Sequence, residues 1–285
     1  MALARALLLS AGAPRACGRI LDRRQPDVVL GGGGYVAGPM VYAASRRHLP
    51  TALTEADAHL GLANRLAAPF ARRVFLAYPV AGREGAKYRV VGRPLPARSR
   101  PVPKEAARRR FGLPPEGPVL AVFGALAGAR SLNTLAVERF GAAGPAVLHL
   151  TGERDFAAFG GRPLREGYRL LASTPEFGAA LSAADLALSR AGGTVWELAA
   201  AGLPSILVPY PFATADHQTA NARYFERAGG AVVVPEAELE RVPELVSALL
   251  EDPARLASMR SAMLAAAKPD AAREIAEELI ALAAA

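Results

Sequence analysis

Cysteine is almost missing: Cys17 is the only one in 285 residues. One thiol closes no internal disulfide and builds no cysteine cage for a metal, and it fits a chain kept in a reducing compartment. Long apolar runs are missing too. No stretch approaches the roughly twenty residues of a membrane-spanning helix. The ALLLSAGA segment that follows Arg5 is too short, and too soon followed by arginines, for a secretory signal; it reads as the end of an amphipathic helix leading into a strand. Aromatic residues are only 6% of the chain, and no aromatic–basic repeat accompanies the arginines, so the expectation is that it binds no nucleic acid. Solenoid-length repeats and low-complexity tracts are absent.

What is present is apolar surface and positive charge. Apolar residues make up 52% of the chain, ample for the cores of two domains, and 34 Lys+Arg face 26 Asp+Glu, a net +8. Such a surface favours an anionic membrane face or a phosphorylated substrate, unless arginine serves only to keep the chain soluble. Short apolar runs alternate with helical stretches throughout, which predicts two Rossmann-like parallel sheets, an α/β fold. The segment GRPLPARSRPVP (92–103) is a stiff, solvated connector and marks the domain boundary, with domains over 1–95 and 96–269.

The most informative stretch is SRAGGTVWELAAAGLPSILVPYPFATADHQTANA (189–222). A buried strand ends at Gly192 and Gly193, which allow a tight turn and close approach of a ligand; a helix starts at Thr194, and its free N–H groups and dipole suit a diphosphate. Glu197, one turn in, can accept hydrogen bonds from a ribose diol, or simply be a solvated glutamate. Asp216 is a candidate cap for a helix that carries Gln218 and Asn221 on one face, amides suited to sugar hydroxyls or to a polar exposed surface. A second glycine turn, PDVVLGGGGYVAGP (26–39), offers Gly32, Gly33 and Gly34 before another helix, followed by Tyr35. Asp57 reads as the cap of a helix running through Ala68, with its leucines in the core or on a membrane-facing patch.

The 189–222 stretch resembles the donor-binding signature of the MurG family, transferases that add N-acetylglucosamine to lipid I in peptidoglycan synthesis. The resemblance implies the glycosyltransferase B fold, in which 270–285 packs back on the first domain. It further implies that 1–95 is an acceptor- and membrane-side domain and 96–269 the UDP-sugar domain. Gly192, Gly193 and Thr194 would hold the UDP diphosphate, Glu197 the ribose, and Gln218 and Asn221 the sugar. GALAGARSLN (124–133) is similar to the family's GGSQGARxxN loop, so Gly124, Leu126 and Gly128 join the donor site, Leu126 replacing the family's serine. Thr174 and Phe177 fall where the family holds the uracil, and Gly32, Gly33, Gly34 and Tyr35 match its acceptor-side glycine loop. Asp57 stands in place of an asparagine that contacts the donor sugar. In the connector, Arg93 and Pro96 occupy positions of a family asparagine and arginine, and Arg93 or Arg98 would have to substitute.

The implied reaction is inverting transfer of N-acetylglucosamine from UDP-N-acetylglucosamine to the C4 hydroxyl of the muramyl sugar, at the cytoplasmic face of the cell membrane, with neither cofactor nor metal. The family's suspected general base is a histidine in a GGTxGH loop that a full MurG carries roughly seventy residues or more upstream. None of His48, His59, His149 and His217 matches it, so the catalytic base is unassigned, and weak donor binding with poor turnover is expected of the chain as written. Alternatives are a glycolipid transferase using another UDP-sugar, a non-catalytic UDP-sugar-binding paralogue, and a nucleotide-sugar epimerase of the same fold.

Overall fold

The computed structural model of the protein describes residues 2–124 and 129–285. They form two compact units, one of residues up to Pro94 together with Pro269–Ala285, the other of Leu95–Lys268. In chain order the first unit contributes α1 (Ala2–Arg24), β1 (Val29–Gly31), α2 (Gly34–Ser45), β2 (Thr51–Glu55), α3 (Leu62–Ala67), β3 (Arg73–Leu76) and β4 (Tyr88–Val90). The second contributes α4 (Lys104–Arg110), β5 (Val119–Phe123), α5 (Arg130–Phe140), β6 (Ala146–Leu150), α6 (Glu153–Phe159), β7 (Tyr168–Leu171), α7 (Phe177–Ser182), β8 (Leu186–Ser189), α8 (Val195–Ala201), β9 (Ser205–Leu207), α9 (His217–Arg227), β10 (Ala231–Val233), α10 (Val242–Leu250) and α11 (Pro253–Ala266). The last helix, α12 (Ala271–Ala284), belongs to the first unit.

In the first unit, β1 to β4 form a four-stranded parallel sheet in sequential order. On one face Val41, Leu53, Val74 and Leu76 pack with Ala67 and Ala68. Ala52, Phe75 and Val91 pack against Ile275 and Leu282 of α12. Glu278 of that helix also pairs with Arg73 and Arg89 on β3 and β4. Apolar burial on both faces of β2 and β3 is what a parallel sheet between helices requires, while the edge strand β4 is half-buried to exposed. The Arg47 guanidinium passes over Gly18 of α1 to reach Asp22 at 2.7 Å.

One helix differs from expectation. Rather than starting at Asp57, α3 starts at Leu62 with Gly61 in the N-cap position. The carboxylate of Glu55 accepts from the N–H groups of Ala56 (2.9 Å), Asp57 (3.3 Å) and Gly61 (2.9 Å), folding 56–61 into a loop around itself. A carboxylate that takes three main-chain donors outcompetes a helix start at Asp57.

The second unit is a six-stranded, all-parallel sheet in the order β10-β9-β8-β5-β6-β7. The chain builds outward from β5 to β7, returns through α7, and builds outward the other way from β8. Strand order therefore reverses between β5 and β8, and in open α/β sheets ligands bind at the carboxyl ends of the strands flanking such a reversal.

Candidate functional site

Two of the expected donor segments leave the strands that flank the β5/β8 reversal. Gly124 follows β5, while Leu126 and Gly128 lie outside the described residues. After β8 comes Arg190, 7% exposed, whose guanidinium ties four loops together. It donates to the carbonyls of Val208 and Pro209 (both 3.3 Å), to Ser131 Oγ (2.9 Å) and to the Glu236 carboxylate, and it lies over the Tyr210 ring at 5.5 Å. Burial pushes Glu236 up, but hydrogen bonds from Arg190 and Ser131 and the arginine's charge outweigh it, so the carboxyl is held below its ordinary range. The ends of β8 and β9, the start of α5 and the segment after β10 are thereby braced around the crevice.

The glycine turn follows. The Val195 and Trp196 N–H groups donate to Gly192 O (3.2 Å) and Gly193 O (3.3 Å), starting α8. Neither glycine has a positive φ. A Cβ on Gly192 would stand 4.0 Å from Gln218 Nε2, an ordinary contact, so neither strain nor packing requires glycine there. Gln218 Oε1 accepts from Tyr210 N–H at 2.9 Å, and Asn221, fully buried, donates to Ala191 O at 3.3 Å. The two amides thus flank the turn, Gln218 beside it and Asn221 behind it. Trp196, 1% exposed, packs edge-on to Phe225 at 5.2 Å and fastens α8 to α9. Asp216 does occupy the N-cap position of α9, yet its carboxylate accepts from the Thr219 hydroxyl (2.6 Å) and makes no side-chain cap bond to the backbone.

Glu197 sits half-buried in the first turn of α8, and the Ser99 hydroxyl donates to its Oε1. Thr174 Oγ1 accepts from Glu176 N–H at 3.1 Å. Phe177, half-buried at the start of α7, meets Phe123 edge-on at 5.3 Å, so part of its ring completes the core at the end of β5.

In the first unit the four glycines have different reasons to be glycine. A Cβ on Gly31 would fall 2.8 Å from Leu53 Cδ2, whereas Gly33 and Gly34 have φ of 84° and 74°. Gly32 has neither constraint, with no atom within 4 Å of a Cβ built on it. Tyr35, at the first turn of α2, is wholly exposed.

Sequence reasoning missed several residues that hold these sites. Arg190 and Ser99 act on partners far along the chain and carry no local signature. Glu55 and Asn64 are joined at 2.9 Å, and the helical periodicity of their segment hid the loop between them. Among the described residues, no group of three or more His, Cys, Asp or Glu could hold a metal ion, and no helix is long and apolar enough to cross a membrane.

Residues 3–76 match the glycosyltransferase family 28 N-terminal domain and 119–275 the glycosyltransferase family 28 C-terminal domain. Curated relatives named UDP-N-acetylglucosamine--N-acetylmuramyl-(pentapeptide) pyrophosphoryl-undecaprenol N-acetylglucosamine transferase include one from Desulforudis audaxviator, 40% identical over 88% of this chain and 72% of its own. Another, from Rubrobacter xylanophilus, is 38% identical over 98% of this chain and 84% of its own. Among solved structures, Acinetobacter baumannii MurG superposes with a TM-score of 0.77 at 26% identity, over 93% of this chain and 76% of that one. A UDP-GlcNAc 2-epimerase from Neisseria meningitidis, TM-score 0.62 at 14% identity over 95% of this chain and 81% of that one, shares the fold alone.

Proposed function

The chain belongs to glycosyltransferase family 28, in its MurG branch, and on that premise we propose that it transfers N-acetylglucosamine from UDP-N-acetylglucosamine to the C4 hydroxyl of the muramyl sugar of lipid I. The observation that carries this reading is the gathering of Gly124, Gly192, Gly193, Glu197 and Gln218 on elements that meet at the β5/β8 reversal.

In this reading the turn over Gly192–Thr194 and the loop after β5 give main-chain N–H groups to the diphosphate. Glu197 accepts from the ribose hydroxyls. Thr174 and the exposed part of Phe177 border the uracil. Gln218 contacts the sugar, and Asn221, committed to Ala191 O, acts by holding the turn. Chemically, the acceptor oxygen forms a bond to C1 of the sugar as the C1–O bond to the β-phosphate breaks. UDP leaves with the electron pair, and the hydroxyl proton passes to a general base. Preorganised N–H donors favour the charge developing on the leaving diphosphate.

Gly32, Gly33, Gly34 and Tyr35 serve the acceptor. The first unit carries 15 Lys+Arg against 9 Asp+Glu, a net +6, and the second 19 against 17, a net +2. Tyr35, Val36, Leu62 and Leu66 on α2 and α3 are all at least 66% exposed. Positive charge beside exposed apolar side chains suits the anionic cytoplasmic face of a membrane, where a lipid acceptor resides.

The test is calorimetric titration with a panel of UDP-sugars. UDP-N-acetylglucosamine should bind tightest, and Glu197→Ala should weaken it about tenfold or more. Equal affinity for UDP-glucose and UDP-galactose would reject the assignment of the transferred sugar.

A further inference from the structure

Ser99 lies outside every glycine loop, yet it touches the carboxylate assigned to the ribose. Ala97–Ser99 form a short 3-10 turn in which Ser99 N–H donates to Pro96 O at 2.9 Å. This turn is clamped to α7 at two points. Gly178 admits it, because a Cβ there would lie 2.7 Å from the Ser99 carbonyl carbon, and the next turn of α7 accepts Val102 N–H on Ser182 Oγ at 3.0 Å. The result is a serine only 2% exposed whose hydroxyl donates to Glu197 Oε1.

We infer that Ser99 is a positioning residue for nucleotide recognition, holding the Glu197 carboxylate in the orientation that meets the ribose diol. The inference rests on the donor-site reading above. A glutamate in the first turn of a helix has three rotatable side-chain bonds, and freezing them on binding weakens affinity. A hydroxyl on a clamped backbone freezes them beforehand. A carboxylate has about four acceptor sites, so the Ser99 bond does not by itself fill Glu197.

The experiment measures dissociation constants of UDP and of 2′,3′-dideoxy-UDP for the wild-type chain, Ser99→Ala and Glu197→Ala, with thermal unfolding of each. Ser99→Ala should weaken UDP about fivefold and change dideoxy-UDP by less than about twofold, since only the diol-bearing ligand uses the oriented carboxylate. If Ser99→Ala does not fold, Ser99→Cys, similar in size and a weaker donor, is read by the same pair of affinities. Equal weakening of both nucleotides would make Ser99 merely structural and overturn the inference. So would unchanged UDP affinity in Ser99→Ala where Glu197→Ala weakens it. If Glu197→Ala leaves UDP affinity unchanged and the wild type does not distinguish the two nucleotides, the donor-site reading itself falls, and the inference with it.

Discussion

Gly32 and Gly33 are neighbours with different obligations. Gly33 has a φ of 84° and a ψ of −174°, a region essentially reserved for glycine that costs another residue about 1–3 kcal/mol, so Gly33→Ala should lower unfolding stability by that amount in urea. Gly32 has no positive φ and open space where a Cβ would go, so Gly32→Ala should stay within about 0.5 kcal/mol of the parent. If the acceptor's pyrophosphate lies against this turn, Gly32→Ala should still weaken binding of a lipid I analogue. Full affinity in that variant would remove Gly32 from the acceptor site. Four glycines in a row looked like one feature in the sequence, and only the environment of each one separates packing, backbone and ligand reasons.

Among the elements, the buried strands were legible because buried parallel strands are short apolar runs bounded by turn residues, as in VLAVF (119–123) and LALS (186–189). The loop at 56–61 was not, because one carboxylate, Glu55, overrides helical periodicity through bonds that no local pattern announces. The same holds for the buried chain that pins β6 and β7 to α5. His149 bonds Tyr168 Oη through Nδ1 (2.8 Å) and Asn133 Oδ1 through Nε2 (2.9 Å), and Asn133 Nδ2 donates to Thr151 O (2.9 Å) and Asp155 Oδ2 (3.1 Å). Because Asn133 Oδ1 only accepts, Nε2 carries the proton and Nδ1 accepts from the tyrosine. Burial lowers the histidine to about 3 from an ordinary 6.5. The unfolded chain therefore binds the extra proton first, and the stability this neutral imidazole contributes is present above pH 6.5 and lost as pH falls toward 3. Between pH 7 and pH 5 the wild type should lose about 2 kcal/mol more than His149→Gln in urea unfolding. Equal losses would show that His149 is not held neutral.

At the scale of the whole molecule, the net charge of +8 was legible at once, and so was its concentration in the unit that carries the exposed Leu62 and Leu66: residues 1–94 hold 14 Lys+Arg against 5 Asp+Glu, and α12, with its acidic excess, lowers that charge when it returns to the unit. Vesicles containing anionic lipid should therefore sediment the protein at low salt and release it as salt rises, with Leu62→Glu/Leu66→Glu reducing binding at every salt concentration. Binding to neutral and anionic vesicles alike, or none by either protein, would contradict a basic, apolar membrane face. Donor binding at the β5/β8 reversal is decided by a crystal structure of the chain with UDP-N-acetylglucosamine. Diphosphate oxygens should lie within about 3 Å of the N–H groups of the Gly192–Thr194 turn, and the ribose diol on Glu197. A diphosphate bound at Gly32–Gly34, or a ribose turned away from Glu197, would contradict it.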